Sequence, residues 1–121
     1  MGKYVDGFVL PLAEKNVAAY RKMSKAASKV FMEHGALEYI EAVGEDLKIK
    51  GMRAFGPAAG ARAGETVVFS YIVYRSRKHR DTVNKKVMTD PRLAKLCGPG
   101  AKVPFDVKRM CYGGFSVMVT G

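Results

Sequence analysis

The chain has 121 residues, of which 48% are hydrophobic and 26% charged, the size and composition of one globular domain rather than of a disordered or fibrous protein. Its 21 Lys and Arg residues exceed its 11 Asp and Glu residues, giving a net charge of +10, and no apolar run approaches the ~20 residues of a membrane-spanning helix. We therefore predict a single domain over residues 1–121 without a membrane segment.

The first third of the chain predicts a strand, a long helix and a second strand. Residues 4–10 are mostly β-branched or aromatic and end at Pro11, which is typical of a first strand. From 13 to 34 apolar residues recur at helical spacing opposite a row of lysines, and Gly35 suits the C-terminal cap. Residues 36–44 then alternate as a second strand does.

The rest of the chain predicts a loop, a central strand, a second helix and a last strand. Residues 45–64 mix basic residues with glycines, which favours a loop or a mobile flap. Residues 66–74 carry no charge and give the strongest strand signal, so we expect this strand at the centre of the sheet. A helix is predicted over 77–88 and a final strand over 110–120.

Capping residues mark the helical segments of this second half. Ser76 precedes the helix at 77–88, and a serine at this position accepts a hydrogen bond from the first helical turn. Asp90 precedes Pro91, which suits the first position of a further short turn ending near Cys97. We therefore expect both segments to begin where these residues place them.

The predicted order is that of an α+β, ferredoxin-like βαββαβ fold, with a four-stranded antiparallel sheet and two helices on one face. The strands at 66–74 and 110–120 are apolar on both alternating sets of side chains, whereas a half-solvated sheet alternates apolar with polar residues. An uncovered apolar face would exceed what monomers usually expose. We therefore predict that two sheets pack face to face in a homodimer.

Five segments span nearly the whole chain: YVDGFVLP, EHGALEYIE, ETVVFSYIVYRS, RDTVNKKVMTDPR and PFDVKRMCYGGF. Read in this order, they resemble the YbaA-like family (domain of unknown function 1428), whereas 47–64 diverges. The resemblance implies a dimeric α+β barrel of the ferredoxin-like type. It implies no settled activity, so whether the protein is an enzyme stays open.

The sequence favours a cytoplasmic protein without a cofactor. Asp6 interrupts the apolar stretch near the N-terminus, which fits neither a signal peptide nor a myristoylation site. Cys97 and Cys111 belong to no CxxC motif, and we expect both to be reduced. His34 and His79 are not spaced with them as metal ligands, and no dinucleotide or P-loop pattern is present.

The first functional hypothesis is a small-molecule binding protein or a cofactor-independent enzyme, because proteins of this fold often hold a ligand between sheet and helices. The polar residues proposed to line that pocket are Asp6, His34, Tyr39, Glu41, Tyr71, Arg109 and Tyr112. Purely structural roles are the alternative for several of them. His34 suits a helix end, and Arg109 suits an ion pair with Asp106.

The alternative function is RNA binding through a basic surface patch. Residues 75–92 hold seven Lys or Arg residues and two Asp residues. The residues proposed for phosphate contact are Arg75, Arg77, Lys78, Arg80, Lys85 and Lys86. The third strand begins at Glu65 and lacks glycine, so the signature of the RNA recognition motif is missing. A solvated helix face explains the same charges.

Overall fold

The computed structural model describes residues 2–121 as an α+β fold. The strands are β1 (Tyr4–Ala13), β2 (Glu38–Val43), β3 (Glu65–Tyr74) and β4 (Cys111–Ser116). The helices are α1 (Val17–Glu33), α2 (Phe55–Ala58), α3 (Arg77–Met88) and α4 (Pro91–Cys97), with 3-10 turns at Glu14–Asn16 and Val107–Arg109. All strand pairs are antiparallel, in the order β2-β3-β1-β4. The predicted four-stranded antiparallel sheet is thus confirmed, with β3 as an inner strand.

β1 runs beyond Pro11, where the sequence predicted its end. It pairs with β3 along its full length, from Tyr4 opposite Tyr74 to Ala13 opposite Glu65. β4 follows β1 only as far as Val9, so β1 has a single neighbour at Pro11. Proline has no backbone N–H to donate to a neighbouring strand, and it is tolerated where the strand has a neighbour on one side only.

β4 is shorter than the predicted strand at 110–120. Its last residue, Ser116, lies opposite Tyr4, the first residue of β1. Val117 still donates its N–H to the Lys3 carbonyl at 3.0 Å, and beyond it β1 offers no further backbone to pair with. Met118 and Val119 are therefore highly exposed, although their sequence favours a strand.

The short helix α2 forms inside the segment 45–64 that was predicted as a loop, and the remaining differences lie at element ends. The predicted caps of α3 and α4 are present. The predicted helix at 13–34 begins only at Val17, because the 3-10 turn precedes it, and β2 is two residues shorter at its start than the predicted strand. Ser76 Oγ accepts the N–H of His79 at 3.1 Å, and α3 has its predicted bounds. Asp90 Oδ1 accepts the N–H of Arg92 at 2.9 Å and caps α4.

The long helices pack on one face of the sheet. Ile72 and Tyr74 of β3 form a cluster with α1, α3 and α4, to which Val30, Val83, Val87 and Leu93 contribute. A second cluster joins Leu10, Leu12 and Val68 to Tyr20 of α1. Side chains two residues apart on a strand share a face, so even-numbered residues of β1 and β3 form this core.

The opposite face of the sheet is also apolar, and we call it the open face. It carries the odd-numbered side chains of β1 and β3 with their cross-strand partners, among them Val5, Val9, Ile40, Phe69, Tyr71 and Phe115. Phe69 is 47% exposed and Phe115 is 62% exposed. Large exposed aromatic side chains on one sheet face are typical of a surface that a partner covers.

Candidate binding site

A cavity of about 320 Å³ lies between α1 and strands β2 and β3, and we call it the α1–β2 cavity. Its lining residues are Leu12, Val17, Tyr20, Arg21, Ser24, Lys25, Ser28, Tyr39, Glu41, Ala42, Val43 and Val68. Ligand pockets commonly measure about 300 to 1,000 Å³ and combine apolar walls with a few polar groups. The cavity has both properties and lies at the small end of that range.

One carboxylate and two phenols meet at this cavity. Tyr20 donates its hydroxyl to Glu41 Oε1 at 2.9 Å, and Tyr39 donates to Oε2 at 2.8 Å. Tyr39 and Glu41 are two residues apart on β2 and so face the same way. Tyr20 reaches them from α1, which crosses the sheet above β2. Each carboxylate oxygen therefore already accepts one strong hydrogen bond.

Burial and the neighbouring carboxylate keep both phenols protonated. Desolvation, followed by the charge of Glu41, raises the pKa of Tyr20 and that of Tyr39 far above their usual value. The two hydroxyls are thus fixed donors to Glu41 throughout the physiological pH range. Neither phenol acts as a base in this arrangement.

Ser24 has an unsatisfied hydroxyl beside this group. The residue is only 5% exposed, and its Oγ forms no hydrogen bond of ordinary length among residues 2–121, although it lies near the Tyr20 phenol, whose pKa burial raises and this hydroxyl lowers. Ser24 lies one helical turn after Tyr20, on the face of α1 that lines the cavity. A buried hydroxyl without a hydrogen-bond partner destabilises the fold by about 1 to 3 kcal/mol. A bound ligand that hydrogen-bonds to Ser24 would remove this penalty.

A second polar cluster, the Asp6 cluster, lies between β1, β4 and α3. Asp6 is 1% exposed. Arg80 Nη1 donates to its Oδ1 at 3.0 Å, and the Tyr112 hydroxyl donates to its Oδ2 at 3.1 Å. The Arg80 guanidinium also lies 5.0 Å from the ring centre of Tyr4. Burial raises the pKa of the Asp6 carboxyl and Arg80 opposes that shift. Both oxygens of Asp6 are thus satisfied inside the cluster, and none of its residues lines the α1–β2 cavity.

The seven proposed pocket residues do not converge on one site. Tyr39 and Glu41 line the α1–β2 cavity, and Asp6 and Tyr112 belong to the Asp6 cluster. The three others lie apart: His34, whose Nε2 is 2.8 Å from Asp90 Oδ2, Arg109, and Tyr71 on the open face. Tyr20 and Ser24 were missed as site residues, although a serine on the apolar side of α1 was a usable signal.

Arg109 forms an ion pair, but with Glu65 rather than with the Asp106 that the sequence suggested. Its guanidinium donates to both oxygens of Glu65, at 2.8 and 2.7 Å, and to the carbonyl of Gly60 at 2.8 Å. Asp106 instead accepts the N–H of Lys108 at 3.0 Å. Arg109 thereby ties the segment before β4 to the start of β3.

The Glu65 carboxylate should make stability depend on acid pH. The Arg109 hydrogen bonds, with the N–H of Arg62, lower its pKa from 4.5 to about 2. A depressed carboxyl pKa stabilises the fold above pH 4.5, and that contribution is lost as the pH falls toward 2. We expect Glu65→Gln to lose less stability than the wild type between those pH values, measured by urea unfolding. Glu14→Gln is the exposed control, and equal acid sensitivity of Glu65→Gln and wild type would contradict the assignment.

The basic residues proposed for RNA contact do not form one uniform surface. Arg75, Arg77, Lys78, Lys85 and Lys86 are exposed on and beside α3. Arg80 is different, since its side chain is only 13% exposed and is bound to Asp6. One of the six proposed residues is therefore engaged inside the protein.

Two further observations concern the cysteines and the helices of the described part of the chain. Cys97 and Cys111 are free thiols on the surface. Among residues 2–121, no helix has the length and apolar character needed to cross a membrane.

Comparison with known proteins gives the family and the fold. The sequence matches the family described as "Protein of unknown function (DUF1428)" over residues 3–107. It is 42% identical over 117 residues to the uncharacterized protein YbaA of Escherichia coli K12, covering 97% of each chain, and equally to that of Shigella flexneri. A dimeric ferredoxin-like protein from an uncultured marine organism is similar in structure, with a TM-score of 0.50, 12% identity and coverage of 100% of this chain and 98% of that one.

Proposed function

Since this chain belongs to the DUF1428 family, whose description assigns no activity, we propose a function from its own geometry: it binds a small molecule in the α1–β2 cavity. The observation that carries the proposal is the buried, unpartnered hydroxyl of Ser24 in a cavity that the Glu41 carboxylate and several aliphatic side chains also line. The cavity volume lies at the small end of the range for ligand pockets, which favours a ligand of metabolite size.

The polar groups of the cavity are not needed for packing. An alanine at 24 would fit the buried face of α1 without leaving a hydroxyl unsatisfied, and alanine is also the better helix former. Glu41 lies on β2, an edge strand. Its carboxylate would have a smaller desolvation cost if the side chain faced solvent instead of the cavity. Polar residues that a fold does not require are expected where a ligand uses them.

Binding is better supported than catalysis. Both oxygens of Glu41 already accept phenol hydrogen bonds, and both phenols are held protonated. His34 and His79 lie outside the residues that line the cavity. A general base needs an unoccupied lone pair within hydrogen-bond distance of the substrate proton. In this cavity the candidate groups are already engaged in hydrogen bonds with one another.

We propose further that the protein acts as a cytoplasmic homodimer whose sheets pack through their open faces. Phe69 and Phe115 give this face large exposed rings, and two such faces packed together would complete a second apolar layer. A structural neighbour is described as a dimeric ferredoxin-like protein, which is consistent with a dimer of this chain. The α1–β2 cavity lies on the helix side of the sheet, so dimerisation would leave it accessible.

RNA binding is the less supported alternative. Five basic residues on and beside α3 are exposed, but Arg80 is held by Asp6 and the Tyr4 ring. The exposed lysines have no accompanying exposed aromatic platform on the helix, which single-stranded nucleic acid binding usually includes. A solvated surface accounts for them without a further partner.

Native mass spectrometry of freshly purified protein tests the proposed cavity. We expect a fraction of the wild-type protein to carry a small-molecule adduct that gentle activation releases. Ser24→Leu should lose the adduct while it stays folded by circular dichroism, since the added side chain occupies the cavity. Ala18→Leu is the matched control, because Ala18 is exposed on α1 outside the cavity. An adduct retained by Ser24→Leu and wild type alike would place the ligand elsewhere.

A further inference from the structure

The charges around the α1–β2 cavity indicate the chemical class of its ligand. We propose that it is a small apolar monoanion, a compact carboxylate, whose charged group contacts Arg21 and Lys25 and whose body fills the cavity. This inference rests on the proposed function, since it concerns the same cavity. It adds the sign of the ligand's charge and the residues that select it.

Arg21 and Lys25 form a cationic pair at the cavity. They are four residues apart on α1, so their side chains are neighbours, and both residues are exposed and line the cavity. Within residues 2–121 neither side chain has a hydrogen bond or an ion pair. Like charges at this spacing destabilise a helix slightly, so an anion between them would relieve an existing repulsion.

Among the described residues, no acidic side chain inside the cavity is paired with Arg21 or Lys25, so both cations are available to an anionic ligand. Glu41 is the only acidic residue that lines the cavity, and its oxygens accept the hydroxyls of Tyr20 and Tyr39. With Arg21 and Lys25 the lining carries two positive charges and one negative charge. A ligand amine would add to this excess, whereas a carboxylate would neutralise it.

Ser24 and the apolar walls complete the arrangement. Ser24 lies between Arg21 and Lys25 in the helix, so its unpartnered hydroxyl is a donor for a carboxylate oxygen. The walls that remain are the aliphatic side chains of Leu12, Val17, Val43 and Val68. An unbranched or small cyclic hydrocarbon body suits such walls better than a polar one.

Calorimetric titration with octanoate and its neutral isostere octanamide tests the charge preference. We expect octanoate to bind the wild type about five- to tenfold more tightly, the ratio that two partly exposed ion pairs supply. In Arg21→Ala/Lys25→Ala the octanoate affinity should fall to that of octanamide, whose own affinity stays unchanged. Lys22→Ala/Lys29→Ala removes the same charge from exposed positions of α1 outside the cavity and should preserve the preference.

Other outcomes separate this inference from the proposed function. If octanoate and octanamide bind equally and Ser24→Leu abolishes both, the cavity binds ligands but does not select anions, and the inference is wrong. If Lys22→Ala/Lys29→Ala loses the preference as fully as the cavity variant does, general surface charge is responsible, which also overturns it. If neither compound binds while an adduct is present in the native spectra, the ligand belongs to another class.

Discussion

Arg80→Ala should lower the free energy of unfolding by about 3 to 5 kcal/mol, one of the largest effects of any single substitution in this protein. Asp6 is almost fully buried, and Arg80 is its only cationic partner among residues 2–121. Without the guanidinium, the carboxylate keeps its desolvation cost and loses its main compensation. Urea unfolding followed by circular dichroism measures the difference in the free energy of unfolding. Because burial raises the pKa of Asp6, its carboxylate is protonated more readily in acid, and part of the lost stability should then be recovered.

Arg77→Ala is the matched control for this substitution. Arg77 starts the same helix but is exposed and forms no ion pair with residues 2–121, so its loss should change stability by less than about 0.5 kcal/mol. Asp6→Asn/Arg80→Ala should be more stable than Arg80→Ala alone, since it removes the unpaired charge. If Arg80→Ala and Arg77→Ala unfold at the same urea concentration, the Asp6 cluster is not held by this ion pair.

Features set by local sequence were predictable, and features set by distant contacts were not. The bounds of α3 and its Ser76 cap followed from residues within one helical turn. The end of β4 depends instead on where β1 begins, more than a hundred residues earlier in the chain. No periodicity within 110–120 contains that information.

The candidate site divides in the same way. Tyr39 and Glu41 were both among the predicted pocket residues, and their spacing on one strand puts them on one face. Tyr20 and Ser24 join them only because α1 packs across β2, which a single sequence does not specify. Arg80 was assigned to a surface patch for the same reason, since 74 residues separate it from Asp6.

Phe69 and Ile72 lie on opposite faces of β3 and provide a paired test of the proposed dimer. Ile72 is 3% exposed and packs with α1 and α3, so Ile72→Glu would bury an unpaired charge in the monomer core. We expect that variant to lose about 4 kcal/mol or more and to unfold or aggregate. Phe69 lies on the open face, where the same substitution leaves the charge in water if the protein is a monomer.

Phe69→Glu should therefore dissociate the dimer without unfolding the chain. In the dimer the carboxylate would be trapped between two apolar sheets without a partner, which costs several kcal/mol at each copy of the substitution. Sedimentation equilibrium should give the mass of two chains for the wild type and of one for Phe69→Glu, with the circular dichroism spectra alike. A wild-type monomer, or a variant that stays dimeric, would show that the open face is not the interface. The exposed rings of Phe69 and Phe115 would then need another partner, since an apolar face of this kind is unfavourable in water.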